Sequence, residues 1–236
     1  MLQHQKAIDG NGFTIIDDVY TANEVENMIS VIKLADQSNL TFRKTLDLFA
    51  IRQFLQEVPG VKQLLFNNKL KNIIGGLFGD DFFVVKSIYF DKPEKSNWFV
   101  AWHQDLTIGV DKKTDISGFS SWTNKLNNFA VQPPLEILQN NFTVRIHLDN
   151  TDQFNGALKV IPGSHKNNIY RAENIDLVKE TETFCNVNAG GIMIMRPLLM
   201  HASDRSSTSK RRRVIHVEFS KADLPAEINW AEKEFY

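Results

Sequence analysis

A histidine and an aspartate lie two residues apart in the motif Trp102-His103-Gln104-Asp105. If this segment is a β-strand, both side chains point to the same side and can reach one metal ion. A second histidine, His201, follows an apolar stretch much later in the chain. Two histidines and one carboxylate on one face of an octahedral ion suit non-haem iron(II) and leave positions open for a cosubstrate and dioxygen. His103, Asp105 and His201 are therefore predicted to be metal ligands and catalytic residues.

Arg212 opens a β-branched stretch shortly after His201. Along a strand that starts there, Arg212 shares one face with His216 and Glu218, whereas the opposite face is mostly apolar. A buried arginine gives a dicarboxylate a bidentate partner whose charge is permanent. The pattern predicts that Arg212 faces a polar interior and binds the distal carboxylate of a cosubstrate.

Helices are predicted to dominate the first third of the chain. Residues 12–18 are predicted to form a short strand, and residues 22–35 a helix that begins at a Thr-x-x-Glu capping box. Further helices are predicted over 47–58 and 61–78, separated by a Pro-Gly pair.

The rest of the chain is predicted to be rich in β-strands. A β-branched and aromatic run covers 82–90. Further strands are predicted at 98–104, 142–149, 157–161, 183–187, 191–196 and 212–219. Residues 106–134 show no clear periodicity, but their aromatic side chains argue against disorder. This segment is predicted to be a lid or pocket wall.

Composition favours one domain over residues 1–236, with a helical part at about 20–80 and a β core at about 82–220. The chain has 236 residues, is 42% hydrophobic and carries a net charge of −1. This charge does not favour nucleic acid or an anionic membrane as a partner. The single cysteine, Cys185, excludes an intrachain disulfide. The N-terminus lacks an apolar signal-peptide core and no run approaches the roughly 20 apolar residues of a membrane span, so a cytoplasmic protein is expected.

Residues 155–165 combine a strand with a turn. The strand ends in Pro-Gly, and Ser164 is predicted to cap a following helix. His165 is either a metal ligand or, as the residues favour, a capping or surface residue.

Taken together, these motifs resemble one family. His103-x-Asp105, the Gly-Ala-Leu…Ile-Pro-Gly-Ser-His segment at 156–165, and His201-x-Ser203 followed by Arg212 are similar to the phytanoyl-CoA dioxygenase family. The resemblance implies a mainly β fold with flanking α-helices, built on a double-stranded β-helix (jelly-roll, cupin-like) core. It also implies iron(II), 2-oxoglutarate as cosubstrate, and O2.

The resemblance also assigns roles to residues. It implies that His103, Asp105 and His201 bind iron and that Arg212 pairs with the distal carboxylate of 2-oxoglutarate, with Arg213 as the alternative if the register shifts by one. Ser203 would hydrogen-bond the cosubstrate, and Trp122 would be an aromatic residue near it. Further candidates for lining the pocket are Lys86, Arg145 and His147; for the last two, a purely structural hydrogen bond is an equal alternative.

The implied activity is hydroxylation of a C–H bond in a small-molecule substrate, with release of succinate and CO2. Related halogenases replace the metal-binding carboxylate with a small residue so that chloride can bind. Because Asp105 keeps that carboxylate, hydroxylation, or another oxidation, is expected rather than halogenation.

Three alternatives belong to other classes. A zinc hydrolase could use the same His/Asp/His site, with Glu218 as the one general base that can be named. A jelly-roll could bind a small ligand without catalysis. The basic run from Lys210 to Arg213 could bind nucleic acid, although the neutral net charge disfavours it.

Overall fold

The computed structural model describes residues 1–35, 38–45, 49–94, 98–125, 128–176 and 178–236. The α-helices are α1 Leu2–Asn11, α2 Ala22–Lys33, α3 Phe54–Glu57, α4 Lys62–Leu65, α5 Asn68–Phe78 and α6 Leu135–Gln139. The first strands are β1 Phe13–Ile16, β2 Phe42–Lys44, β3 Phe49–Arg52, β4 Phe83–Lys92, β5 Val100–His103, β6 Ile108–Val110 and β7 Ser120–Lys125. The later strands are β8 Asn128–Gln132, β9 Phe142–His147, β10 Leu158–Val160, β11 Thr183–Phe184, β12 Ile192–Met195, β13 His201–Ser203 and β14 Arg212–Ser220.

Two antiparallel sheets form the body of the molecule. The larger has the strand order β1-β12-β9-β14-β4-β3-β2, and the smaller has the order β11-β10-β13-β5. One cavity is lined by side chains from both, because β4, β9 and β14 contribute from one side and β5, β10 and β13 from the other. The protein therefore has a double-stranded β-helix core with its cavity between the two sheets, as the sequence predicts.

The strand β14 separates the two environments of the larger sheet. Ile215, Val217 and Phe219 are fully buried in the main hydrophobic core, which also contains the apolar faces of α2 and α5. Arg212 and His216, on the opposite face, line the cavity. The alternation predicted from the sequence is thus confirmed. One face of β14 directs polar side chains into the cavity, and the other face packs against the helices.

Several predicted boundaries are confirmed. The helix α2 begins at Ala22 and is capped by Thr21, whose hydroxyl accepts from the Glu24 N–H while the Glu24 carboxylate accepts from the Thr21 N–H, as in a capping box. The helix α5 ends at Phe78, and Gly79 follows with φ 92°. Residues 61–78 are nevertheless not one helix: the Asn67 side chain accepts from the Leu70 N–H at 2.9 Å and caps α5 separately from α4.

The predicted helix over 47–58 is wrong for most of its length. Residues 49–52 are strand β3, which pairs with β4 and places Ala50 opposite Phe90; only α3 is helical. Residues 46–48 lie outside the described residues. Periodicity does not distinguish a buried strand from a helix in a short apolar run. Here the run forms a strand because its backbone pairs with the edge of β4.

Residues 106–134 contain regular structure that the sequence does not predict. The strands β6, β8 and β7 form a small antiparallel sheet in that order. Ile108, Val110 and Val131 from this sheet are buried in a second hydrophobic cluster with Trp230 and other side chains. The segment is therefore a packed unit held by its own apolar face.

Glu232 ties the C-terminal segment to the edge of β4. Its carboxylate accepts from the Ser87 N–H at 3.1 Å and from the Ser87 hydroxyl at 2.5 Å, and the residue is only 4% exposed. Burial raises the pKa of Glu232 to about 7. The folded state therefore holds this proton more tightly than the unfolded state does.

A pH dependence of stability follows from Glu232. Because the folded-state pKa is raised, the contribution of Glu232 to stability is fully present below the unfolded-state pKa near 4.5. This contribution is lost as the pH rises to about 7. Glu232→Gln is expected to be more stable than wild type at pH 8, by on the order of 3 kcal/mol. Urea unfolding at pH 5 and pH 8 measures this difference, with the exposed Glu227→Gln as control. A difference that does not grow with pH would contradict the assignment.

Candidate metal centre

Pairing between β5 and β13 brings the two histidines together. His103 lies directly opposite His201, and their ring centres are 4.2 Å apart. Asp105 follows the end of β5, where its N–H donates to the Pro197 carbonyl at 2.9 Å. The carboxylate of Asp105 lies 4.0 Å from His103 Nε2 and 3.8 Å from His201 Nε2. The structure thus brings the three predicted ligands to one point.

Hydrogen bonds fix which nitrogen each imidazole presents. His103 Nδ1 lies 2.8 Å from the Ala101 carbonyl, and His201 Nδ1 lies 2.8 Å from the Leu199 carbonyl. Because a carbonyl only accepts, each Nδ1 must carry the proton and donate it. Both Nε2 lone pairs are then free toward Asp105, as metal-binding histidines require.

The protonation states also fit a divalent metal ion. Burial lowers the pKa of His201 to about 4, so its imidazole is neutral at pH 7. Burial alone would raise the pKa of Asp105. In the acid range where Asp105 titrates, however, protonated His201 and His216, together with Lys86, outweigh burial and hold that pKa below its usual range. Asp105 Oδ2 is inaccessible to solvent and has no hydrogen-bond partner among the described residues. A buried carboxylate oxygen without a donor, facing two imidazole lone pairs, suits a bound cation.

A cavity of about 230 Å³ contains this cluster. Its lining residues are Lys86, Ile88, Phe90, Trp98, Val100, His103, Asp105, Arg145, Leu158, His201, Ser203, Arg212 and His216. The lining combines apolar side chains with cationic groups. A second cavity of about 240 Å³ shares Lys86 and Ile88 with it and is otherwise walled in part by β6, β7 and β8.

Arg212 lies in the same cavity as the three candidate ligands and is 3% exposed. Its guanidinium donates to the Gly156 carbonyl, and its Nε has no partner among the described residues. Burial, together with the charge of Arg145, lowers the pKa of Arg212 to about 9, so it remains charged at pH 7. A buried cation with an unused donor favours an anionic ligand.

Arg213 faces the other way. Its guanidinium makes a two-point contact with the Asp149 carboxylate, at 2.8 and 2.7 Å. It does not line the cavity. Of the two arginines left open by the sequence, Arg212 is therefore the one available to a ligand in the cavity.

Ser203 and Trp122 differ in where they lie. Ser203 lines the cavity beside Arg212, and its hydroxyl donates to the Gly156 carbonyl at 2.9 Å. Contact with a cosubstrate carboxylate would require that hydroxyl to turn away from Gly156. Trp122 does not line the cavity and packs against the second hydrophobic cluster. The structure therefore does not bring Trp122 to the other predicted site residues.

A polar chain beside Asp105 contains residues whose connection the sequence does not reveal. Arg145 Nη1 lies 3.0 Å from His216 Nδ1, His216 Nε2 lies 3.0 Å from Glu218 Oε1, and Lys86 Nζ donates to Glu218 Oε1 at 2.7 Å. Because arginine only donates, His216 Nδ1 must accept, and His216 is a neutral imidazole that donates from Nε2. The inward alternation of β14 was the available signal for His216 and Glu218.

Glu218 is held by this chain. Burial alone would raise the pKa of Glu218, but Lys86 and His216 hold it below its ordinary value. A carboxylate engaged by two donors is a poor general base for a zinc-bound water. The structure therefore brings Glu218 close to Asp105 without favouring the hydrolase alternative.

Two further predicted residues have structural contacts. His147 Nδ1 hydrogen-bonds the Thr151 hydroxyl at 2.8 Å, and His147 does not line the cavity. Ser164 is not the helix cap that the sequence predicts. Its hydroxyl donates to the Ile161 carbonyl and accepts from the Met200 N–H at 2.9 Å, which anchors the residue before His201. His165 lines a separate cavity near Arg196.

A two-histidine, one-carboxylate cluster inside a double-stranded β-helix, with a buried arginine in the same cavity, defines the class of non-haem iron(II), 2-oxoglutarate-dependent dioxygenases. The sequence profile of "Phytanoyl-CoA dioxygenase (PhyH)" matches residues 8–214. The chain belongs to the phytanoyl-CoA dioxygenase family and is an enzyme of this class, with iron and 2-oxoglutarate as its cofactor and cosubstrate.

Individual relatives are distant. A probable alpha-ketoglutarate-dependent hypophosphite dioxygenase from Stutzerimonas stutzeri is 21% identical, over 94% of this chain and 79% of the relative. The crystal structure of EctD from S. alaskensis with 2-oxoglutarate and 5-hydroxyectoine aligns with a TM-score of 0.72 at 19% identity, over 93% of this chain and 76% of that one. HygX from Streptomyces hygroscopicus with nickel, 2-oxoglutarate and hygromycin B aligns with a TM-score of 0.67 at 17% identity, over 100% and 96%. At these identities the structural likeness establishes the fold.

Among the described residues, no helix is both long enough and apolar enough to cross a bilayer.

Proposed function

We propose that this chain, acting as a single domain over residues 1–236, hydroxylates a C–H bond in a polar small molecule. In the proposed site, His103, Asp105 and His201 bind iron(II), and Arg212 binds the distal carboxylate of 2-oxoglutarate, with Ser203 beside it. The observation that carries the proposal is that the three ligands and the buried Arg212 line one cavity. Trp122 is not part of the proposed site.

The residues of this chain have separate roles in the proposed reaction. Iron and 2-oxoglutarate supply the oxidising chemistry, with succinate and CO2 as products from the cosubstrate. The Ala101 and Leu199 carbonyls hold the imidazoles of His103 and His201 with Nε2 toward the metal. The apolar side chains of the cavity lining, including Phe90 and Val100, would exclude water from the reacting atoms.

The adjoining cavity supports a polar substrate. Its lining includes apolar side chains such as Ile108 and Phe129. Besides Lys86, it also includes the polar residues Arg52, Thr107, Thr123 and Glu232, which could bind polar groups of a substrate. Residues of β6, β7 and β8 form part of its lining, which supports a pocket-wall role for 106–134. The structures of EctD and HygX named above contain 5-hydroxyectoine and hygromycin B, which are small molecules.

A spectroscopic and isotopic experiment tests the proposal. Under anaerobic conditions, wild-type protein with iron(II) and 2-oxoglutarate is expected to show the visible metal-to-ligand charge-transfer band. His103→Ala should lose the band, and Arg212→Ala should need much more 2-oxoglutarate to reach it. A screen of polar small molecules under 18O2 should then yield one labelled oxygen in succinate and one in a product alcohol.

Two results would contradict the proposal at different levels. Absence of the band in wild-type protein would overturn the metal and cosubstrate site. A product that contains chloride, or that lacks the labelled oxygen, would overturn hydroxylation while leaving the site intact.

A further inference from the structure

Arg145 is a second buried arginine in the metal cavity. It lies on β9, lines the cavity and is 6% exposed. Its Nε has no hydrogen-bond partner, and no carboxylate oxygen lies within 4 Å of its guanidinium nitrogens, in the part of the chain that the structure describes. Its one side-chain hydrogen bond among those residues goes to the neutral ring of His216. The charge of Arg145 therefore has no counter-charge in direct contact.

Arg145 reaches the cavity at the level of the candidate metal ligands. It lies opposite His216 in the pairing of β9 with β14, and Nη1 is 3.0 Å from His216 Nδ1. Ligand atoms of His216, Glu218 and Asp105 lie within 4.8 Å of one another. Arg145 is thus one hydrogen bond away from a side chain that adjoins Asp105.

Arg212 reaches the same cavity at a different level. It lies four residues before His216 on β14, a separation of about 13 Å along an extended strand. Its guanidinium contacts the Gly156 carbonyl beside Ser203. The two arginines therefore enter the cavity at different heights along β14, with Arg145 at the height of His216, nearer the candidate metal ligands.

Two buried cations with no carboxylate in direct contact among the described residues favour a ligand that carries two negative charges. Burial lowers the pKa of Arg145 to about 10, so it stays protonated at pH 7. 2-Oxoglutarate has one carboxylate at each end, and a cavity of about 230 Å³ is small enough to bring both ends near protein groups.

We propose that Arg145 is a second cosubstrate-binding residue, which binds the C1 carboxylate at the metal end while Arg212 binds the distal carboxylate. This assignment rests on the proposed function, because it takes the site of His103, Asp105, His201 and Arg212 as the place of 2-oxoglutarate. A chain of hydrogen bonds through His216 and Glu218 would then connect Arg145, and with it the cosubstrate, to Lys86. Lys86 lines both this cavity and the adjoining one.

Two ligands separate the roles of the arginines. Calorimetric titration of the anaerobic, manganese(II)-loaded protein measures binding of 2-oxoglutarate and of 2-oxopentanoate, which keeps the keto and C1 carboxylate groups but lacks the distal carboxylate. Arg145→Met is expected to weaken both ligands equally, by about 30-fold or more, since it removes one partner of a buried charge pair. Arg212→Met should weaken 2-oxoglutarate alone, so that the two ligands bind almost equally.

Control variants keep the result interpretable. Arg196→Met removes a half-buried arginine outside the cavity and should leave both affinities unchanged. Arg145→Gln keeps a donor toward His216 Nδ1 but removes the charge, so it should show the same equal loss if the charge binds the ligand. Thermal unfolding confirms that each variant is folded.

The possible outcomes are distinct. Unchanged affinities in Arg145→Gln and Arg145→Met would overturn the proposal and leave Arg145 as a partner of His216 only. A loss confined to 2-oxoglutarate would overturn it in favour of a distal-carboxylate role. Wild-type protein that binds neither ligand would overturn the proposed function itself, and this assignment with it.

Discussion

Replacing His201 with alanine is expected to abolish metal-dependent turnover of 2-oxoglutarate. His201 is 5% exposed, its proton is committed to the Leu199 carbonyl, and its Nε2 lies 3.8 Å from Asp105. Loss of a residue that only supports a metal ligand already weakens metal binding by about 10- to 100-fold, so loss of His201 as a proposed direct ligand should weaken it by more than about 100-fold.

Thermal unfolding with and without metal measures the loss independently of activity. A metal that binds only the folded state at 100 times its Kd stabilises wild-type protein by about 2.7 kcal/mol. This stabilisation should disappear in His201→Ala and persist in His165→Ala, whose histidine lines a different cavity. Equal metal-induced stabilisation of His201→Ala and wild type would show that the metal binds elsewhere.

Replacing Phe142 with alanine is expected to cause a large loss of stability. Its ring is fully buried at the start of β9, where it stacks between Phe78 and Phe219, with ring centres 3.8 Å and 4.8 Å away. Truncating a buried phenylalanine removes apolar contacts on all sides and leaves a cavity, at a cost of about 3–5 kcal/mol.

Chemical denaturation gives the free energy of unfolding for this comparison. Phe154→Ala is the matched control, because Phe154 is 52% exposed and its truncation should change stability by less than about 0.5 kcal/mol. The melting temperature of Phe142→Ala should fall by roughly 10 °C for a chain of this size. A change as small as that of the control would mean that the three stacked rings do not hold the helices on the sheet.

Local patterns in the sequence were sufficient to predict features that depend only on residue types and their spacing within one element. The capping box at Thr21 needs only neighbouring residues, and the alternation along β14 needs only a strand with two different environments. Both are properties of one element, so the sequence alone predicts them. The pairing of His103 with His201 is not local, yet the residue types that suit one metal identified it.

Other features depend on which elements meet. Phe49 to Arg52 form a strand because β4 presents an edge for them, and the apolar run itself does not distinguish strand from helix. Trp122 packs into the second hydrophobic cluster because β6, β7 and β8 form a sheet of their own. The spacing of residues within 106–134 does not predict how these three strands pair.

The sequence by itself determined the candidate metal ligands, the inward position of Arg212 and the family of the chain. Only the tertiary structure decided that Arg213 is paired with Asp149, and that Arg145 has no carboxylate partner among the described residues where it lines the cavity of the candidate metal ligands. The physical reason is that the residue type fixes the charge of a side chain, whereas the group that neutralises this charge lies on another strand. Whether a buried cation is already neutralised therefore depends on contacts that exist only in the folded chain.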